Sequence, residues 1–495
     1  MMSTQTDPTD GRLMATAKPS VQGNDRVART HIIADWDPED VVAWREGNNV
    51  IARRNLIWSN LNGHVAFSIW YLWSVMVLFM PQQVYGFSTG DKLLLAATAT
   101  LVGALVRIPY TMATTRFGGR NWALFSSLVL LVPTVGAIVL LAHPGLPLWP
   151  YLVCAALTGL GGGNYAASLA TAEAFYPQRL KGFALGLTGG ITNLGSAGIQ
   201  AIGLVVLATA GHGSPVWVCA IYLVLLAIAG VGAALFMDNL SHVIEVAHVR
   251  CVLKVPDSWG ISLLYLCCSG SFLGFAFAFG QVIQHNLVAG GQTHAQASLH
   301  AAEVAFIGPL LGSLARIVGG KMGDRFGGGP VTLGALGAMI VAGGFLLAVS
   351  THDDLTHRPG GPTTGTLVGY IVGFIVLFVF CGIGKGSVFK LIPSVFQARS
   401  RAMNVSDAER RRWERVMSGA LIGFAGALGA LGAMGINLAL RQSYLIAGTE
   451  TPAFWIFFVC YVAAAVLTWV RYVRPESAGV PLPAQQSAVR QPINT

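Results

Sequence analysis

The chain has 495 residues, of which 54% are hydrophobic, only 11% are charged, and 60 are glycine. Soluble domains carry about 25% charged residues, so a mean hydropathy of +0.60 and the scarcity of charge exclude a soluble enzyme. The formal net charge of +9 has to be explained by where the cations lie.

Residues 1–55 are polar, contain no apolar run suited to a signal peptide, and read as a cytoplasmic N-terminal tail. Apolar stretches of about 20 residues or more follow, each long enough to cross a ~30 Å hydrocarbon layer as a helix. Segments one to six are predicted at 56–80, 92–114, 121–142, 149–175, 180–208 and 215–236, forming a bundle over 56–237. A polar linker over 238–257 leads to segments seven to twelve at 259–287, 302–322, 330–350, 365–396, 415–440 and 452–472. These form a second bundle over 258–473, and a polar tail over 474–495 ends the chain.

Most of the 31 Lys and Arg sit in the tails and the even-numbered connections, while only Lys92, Arg358 and Arg441 fall on the opposite side. This asymmetry puts both termini in the cytoplasm of a multi-pass protein of the inner membrane. The basic cluster over 399–415 is then a solvated loop, and lipid rather than nucleic acid is the expected surrounding. The 7 cysteines have no CxxC spacing and read as small buried apolar residues, so no disulfide, metal or cofactor is expected.

The two bundles repeat each other. Leu101, Gly103, Leu105, Arg107, Ile108, Arg116, Phe117, Gly118 and Gly119 match Leu310, Gly312, Leu314, Arg316, Ile317, Arg325, Phe326, Gly327 and Gly328 at one constant offset. Gly159, Gly161 and Gly163 in segment four similarly match Gly382, Gly384 and Gly386 in segment ten. Two six-helix repeats of this kind resemble the major facilitator superfamily. The loop Gly319-Gly-Lys-Met-Gly-Asp324-Arg325 resembles its loop motif, and the counterpart after segment two lacks the Asp.

Arg107 and Arg316 carry the chemistry. An arginine at mid-helix depth costs at least ~2.5 kcal/mol on insertion scales, so it faces a cavity or a partner. Asp91, Glu173, Asp238 and Glu303 all lie towards segment ends and offer no charge at matching depth. Each arginine sits about 13 Å of helix from the arginine of its loop motif, too deep for easy snorkelling. Two such cations, one per repeat, imply an anion site. A guanidinium is a planar fork that fits a small flat oxyanion in a bidentate way. Nitrate and nitrite suit it, and phosphate and carboxylates fit on physics alone. Glycine-rich segments five and eleven give smooth faces on which helices approach and slide. Asn193, within the richest of these stretches, is an amide that orients the anion or bonds a neighbouring helix.

Ala104-Leu-Val-Arg107-Ile-Pro-Tyr110, Phe117-Gly-Gly-Arg120, Gly189-Gly190-Ile-Thr-Asn193-Leu-Gly195 and Ser271-Phe-Leu-Gly-Phe275 resemble the nitrate/nitrite porters of the NarK type over residues 56–473. The segment-five glycines match that family's nitrate signature. The second signature, with Gly423 and Gly429, keeps the spacing but has Gly426 and Ala427 where a Ser-Ala pair is usual. The resemblance implies that Arg107 and Arg316 clamp nitrate or nitrite, that Asn193 and Tyr265 assist, and that Phe67 and Tyr165 wall the pocket. Three positions depart from the pattern: Ser269 stands where Phe is frequent, and Lys385 and Lys390 replace neutral polar residues. The N-terminal tail is also longer than usual.

Lys385, between two glycines, raises anion attraction, makes transport pH-sensitive, or bonds a carbonyl; His64 is a candidate coupling group or a packing residue. The expected fold is an all-α major facilitator bundle of twelve helices, working as a monomer by alternating access. With no mid-membrane carboxylate, nitrate/nitrite exchange is expected over proton-coupled symport, and a non-transporting anion sensor is the reading from another class. No nucleophile–base pair, metal cluster or phosphate loop suggests an enzyme.

Overall fold

A computed structural model describes residues 31–474 apart from 212, 241–248, 357–361 and 402. Among the described residues nine helices are long and apolar enough to cross a membrane, and two bent pairs bring the number to eleven. The first bent pair, α1, joins Val41–Trp70 to Leu72–Phe79 through 46°; the second, α2, joins Thr89–Leu105 to Arg107–Phe117 through 42°. After α3 (Gly119–Ala142), α4 comprises Leu148–Thr158 and Asn164–Phe175, joined by a 3-10 turn at Gly159–Gly163. Neither limb is long enough to cross a membrane alone, and the pair is not among the eleven. The glycines of that turn let α1 and α2 press in: a Cβ on Gly162 would lie 2.9 Å from the Trp70 ring, and one on Gly163 2.6 Å from Tyr110.

The first half closes with α5 (Gln178–Ala210) and α6 (Val216–Phe236). The second contains α7 (Pro256–Ala289), α8 (His294–Phe326), α9 (Gly328–Thr356), α10 (Thr364–Ser400), α11 (Asp407–Ala447) and α12 (Thr451–Val473). The outer helices expose Val132, Val231, Val341 and Val459, as a lipid-facing surface requires, while α7 is buried along nearly all its length. The repeat is visible in backbone geometry: Gly118 and Gly327, ending α2 and α8, both have φ +87°, which a residue with a Cβ adopts only under strain.

Several boundaries differ from the sequence expectation. The stretch before residue 56 is not simply a tail. Strand β1 (Ile32–Ile33) pairs in parallel with β2 (Asn239–Leu240), and helix starts at Val41, capped by Asp40 accepting from the Val42 and Ala43 N–H groups. Trp36 and Trp44 meet Phe175 and Tyr176 edge-on at 5.1 and 5.7 Å, burying aromatic surface that apolar-run reading misses. Helices α8 and α11 also start earlier, because the Thr293/Gln296 and Ser406/Glu409 capping boxes launch polar turns ahead of the apolar run. Five cysteines are buried as expected, but Cys251 and Cys460 are exposed; Cys460 shares its side of α12 with exposed Ile456 and Val459, a face suited to lipid.

The end of the bundle away from the termini is sealed by bonds between the halves. Tyr71 donates to the Leu273 carbonyl (3.2 Å) and stacks on Phe277 at 4.1 Å. Gln200 donates to the Ala276 carbonyl (2.7 Å), and Gln284 and Ser298 donate to the Leu78 carbonyl at 3.1 and 2.6 Å. At the end that carries the termini, Asp238 accepts from Arg54 (2.5 Å), while Asp257 accepts from Arg399 and Arg471, tying α7 to α10 and α12. Lys390, a departure from the family pattern, forms an ion pair with Asp324 of the loop motif.

Candidate functional site

Arg107 opens the second limb of α2, directly after the bend, and Arg316 lies in the equivalent part of α8. They are only 3% and 9% exposed, and among the described residues neither has an ion-pair partner. Their bonds cross between the halves. Arg107 Nη1 donates to the carbonyl of Gly426 in α11 at 2.5 Å, and Arg316 Nη1 donates to that of Gly189 in α5 at 3.5 Å. Each arginine thus reaches a glycine carbonyl in the glycine-rich helix of the opposite repeat.

Tyr165 joins them. Its ring centroid is 5.0 Å from the Arg107 guanidinium carbon and 5.7 Å from that of Arg316. Trp70 flanks Arg107 at 5.3 Å and Phe389 flanks Arg316 at 5.1 Å. Phe67 packs on Trp70, Tyr71 and Tyr165 (5.0, 5.4 and 6.1 Å), and Tyr265 stacks on Phe389 at 4.6 Å. Aromatic faces are weakly negative and hold cations without neutralising them. The arrangement therefore keeps two positive charges buried without a counter-charge among the described residues.

Arg107, Arg316, Tyr165, Phe67 and Tyr265 are brought into one cluster. Asn193 lies one turn beyond Gly189 on the same face of α5 and is buried, and its amide nitrogen has no partner among the described residues. Lys385 is buried with Nζ 3.9 Å above the Phe272 ring, within electrostatic reach of both arginines. His64 sits apart: its Nδ1 bonds the Ile191 carbonyl at 2.9 Å, and its ring packs against Gly198. The signature glycines divide by surroundings. Gly189 abuts the Arg316 guanidinium, Gly190 faces Ile317, Gly195 lies against the His64 carbonyl, and Gly429 meets Tyr265, whereas Gly423 has open space. Trp70, Phe389 and the Gly426 carbonyl were not anticipated from the sequence. Trp70 is one turn after Phe67 and Phe389 one turn after Lys385, so helical spacing from those residues was the available signal.

A family model for the Major Facilitator Superfamily matches residues 63–408. The nitrate/nitrite transporter NarU of Escherichia coli K12 is 31% identical over 467 residues, covering 90% of this chain and 96% of that protein. This chain belongs to the NarK-type nitrate/nitrite porter family of the major facilitator superfamily. A second relative of this porter, from Thermus thermophilus and titled "Probable nitrate/nitrite antiporter NarK2", is 29% identical over 89% of the chain and 96% of its own length. The crystal structure of a D-xylose–proton symporter overlays on the porter with a TM-score of 0.59 at 15% identity, covering 84% of this chain and 97% of that one. At that identity the likeness concerns the fold alone.

Proposed function

We propose that this porter carries nitrate and nitrite across the inner membrane by alternating access, exchanging one anion for the other, with both termini in the cytoplasm. The observation that carries the proposal is the pair of buried guanidiniums, one from each half, over a single tyrosine ring and without a carboxylate partner among the described residues. The names of NarU and of the Thermus relative support the choice of anion, as does the flat shape of the fork.

Exchange follows from electrostatics. The shared ring limits the separation of the guanidiniums to about 11 Å, and two unit charges about 8–11 Å apart repel by roughly 1.5–2 kcal/mol at an effective dielectric of about 20. A bound monoanion replaces that repulsion with two attractions, so the loaded carrier passes through the closed state more readily than the empty one. In this mechanism Arg107 and Arg316 grip the anion, Asn193 donates its unpartnered amide, Tyr165, Tyr265 and Phe67 shape the slot, and Lys385 adds positive potential. The smooth signature-helix faces at Gly190 and Gly423 let the bundles 56–237 and 258–473 move against each other, and His64 holds α1 to α5.

Counterflow in proteoliposomes tests it. Nitrite-loaded vesicles should take up labelled nitrate many times faster than vesicles loaded with an inert anion. Rapid uptake driven by a proton gradient into anion-free vesicles would replace exchange with symport, and tight nitrate binding without flux would indicate a sensor.

A further inference from the structure

A second set of buried ionisable groups lies far from the arginines, in the sealed seam at the end away from the termini. Glu450, between α11 and α12, is 3% exposed; its carboxylate accepts from Asn286 Nδ2 at 3.2 Å and from the Tyr444 hydroxyl at 3.1 Å. Tyr370 of α10 lies against the same carboxylate, and Asp353 of α9 acts on Tyr370 in turn. The Tyr444 ring meets the His285 imidazole edge-on at 4.8 Å. Across the seam, His285 Nδ1 shares a hydrogen bond with Thr89 Oγ1 of α2 at 3.2 Å. One turn further along α2 stands Lys92, 7% exposed, so that His285 lies within electrostatic reach of both Glu450 and Lys92. Among the described residues neither Lys92 nor Glu450 forms an ion pair. Other charges nearby are Arg441 of α11, whose stem runs beside Gly90, Asp91, which is engaged in its own capping box with Ser88, and Asp354 of α9, which accepts from the Thr449 hydroxyl beside Glu450.

These groups are divided between the halves in a way that gives protonation a direction. Glu450, the natural counter-charge for an imidazolium, belongs to the same half as His285, whereas Lys92 belongs to the other. A proton on His285 is therefore attracted within its own half and repelled across the seam. Repulsion disappears when the halves part, while attraction to Glu450 is kept. Imidazole is the side chain whose charge changes between about pH 5 and 8.

We propose that His285, with Glu450 behind it and Lys92 facing it, is a proton-binding site in this seam, and that acidity on this face favours opening of the carrier towards it. The site rests on the alternating-access reading above for its consequence in transport, but its test needs no nitrate. Spin labels on Val84→Cys and Leu355→Cys, both exposed and on opposite halves, in a Cys251→Ser/Cys460→Ser background, report the separation of the halves in detergent. Lowering the pH from about 8 to about 5 should raise the wide-separation population about threefold or more. His285→Gln keeps a hydrogen-bonding side chain for Thr89 but removes the titration, and should stay narrow at both pH values. Lys92→Met, which removes the opposing charge, should do the same. An unchanged distribution in the unsubstituted protein, or an equal shift in both variants, overturns the proposal. Proton-driven widening in a protein that moves no nitrate would sink the exchange reading and leave this one standing.

Discussion

Replacing Gly189 with alanine adds one methyl group where α5 meets the Arg316 guanidinium. The new carbon would lie 3.1 Å from Nη2, 3.2 Å from Cζ and 3.3 Å from Nη1. All three are closer than ordinary van der Waals contact, so the guanidinium has to retreat by a few tenths of an ångström. Its bond to the Gly189 carbonyl, already 3.5 Å long, is lost, and Phe389 and Tyr165 leave little room for withdrawal. Overpacking of this kind costs about 1–3 kcal/mol. Falling on the anion-bound arrangement at tenfold per 1.4 kcal/mol, it weakens nitrate affinity by about 5- to 140-fold. Folding should survive, because alanine favours a helix over glycine by about 1 kcal/mol. The assay is nitrate binding to purified protein together with the KM of counterflow. Gly186→Ala is the control, since nothing lies within 4 Å of a Cβ at that position; it should stay within about twofold of the parent protein. Wild-type affinity in Gly189→Ala, or an equal loss in Gly186→Ala, would refute the placement of Arg316 in the binding slot.

Arg107→Lys and Arg316→Lys preserve charge but remove the planar fork. Each should weaken nitrate binding by about 10- to 100-fold, the worth of roughly 1.5–3 kcal/mol in a charged hydrogen bond; near-normal affinity measured by titration would argue against a clamp. Asp257→Asn leaves Arg399 and Arg471 without their shared carboxylate at the start of α7. Breaking a buried pair costs about 3–5 kcal/mol, and the partial exposure of Arg471 puts the expected loss at the low end. Thermal unfolding in detergent should show a clear drop in Tm, and an unmoved Tm would count against those bonds.

Much of this architecture is legible in the chain because lipid imposes strong rules. Long apolar runs have to be helices, and an arginine among them has to face something polar, which is how Arg107 and Arg316 stand out. The repeat adds a second constraint, visible afterwards in the matched backbone of Gly118 and Gly327. What stays hidden depends on distances between helices. Helical spacing from Phe67 and Lys385 points towards Trp70 and Phe389, but it does not pair either ring with a guanidinium or mark the Gly426 carbonyl as the acceptor of Arg107. Those contacts are set by glycine-to-aromatic packing between segments remote in sequence. The early start of α1 is missed for another reason: Asp40 and the two tryptophans organise a polar stretch that hydropathy alone reads as a tail.

The two cross-half carbonyl bonds are unequal, 2.5 Å at Arg107 and 3.5 Å at Arg316. Under the proposed exchange mechanism this inequality sets an order of capture for the arriving anion. In that mechanism Arg316, on the longer carbonyl bond, is the first hand extended, whereas Arg107 is the more firmly held and turns to the newcomer second. Releasing the hold on Gly426 removes one bond between α2 and α11, so in the proposed mechanism the second grip is coupled to a joint between the repeats.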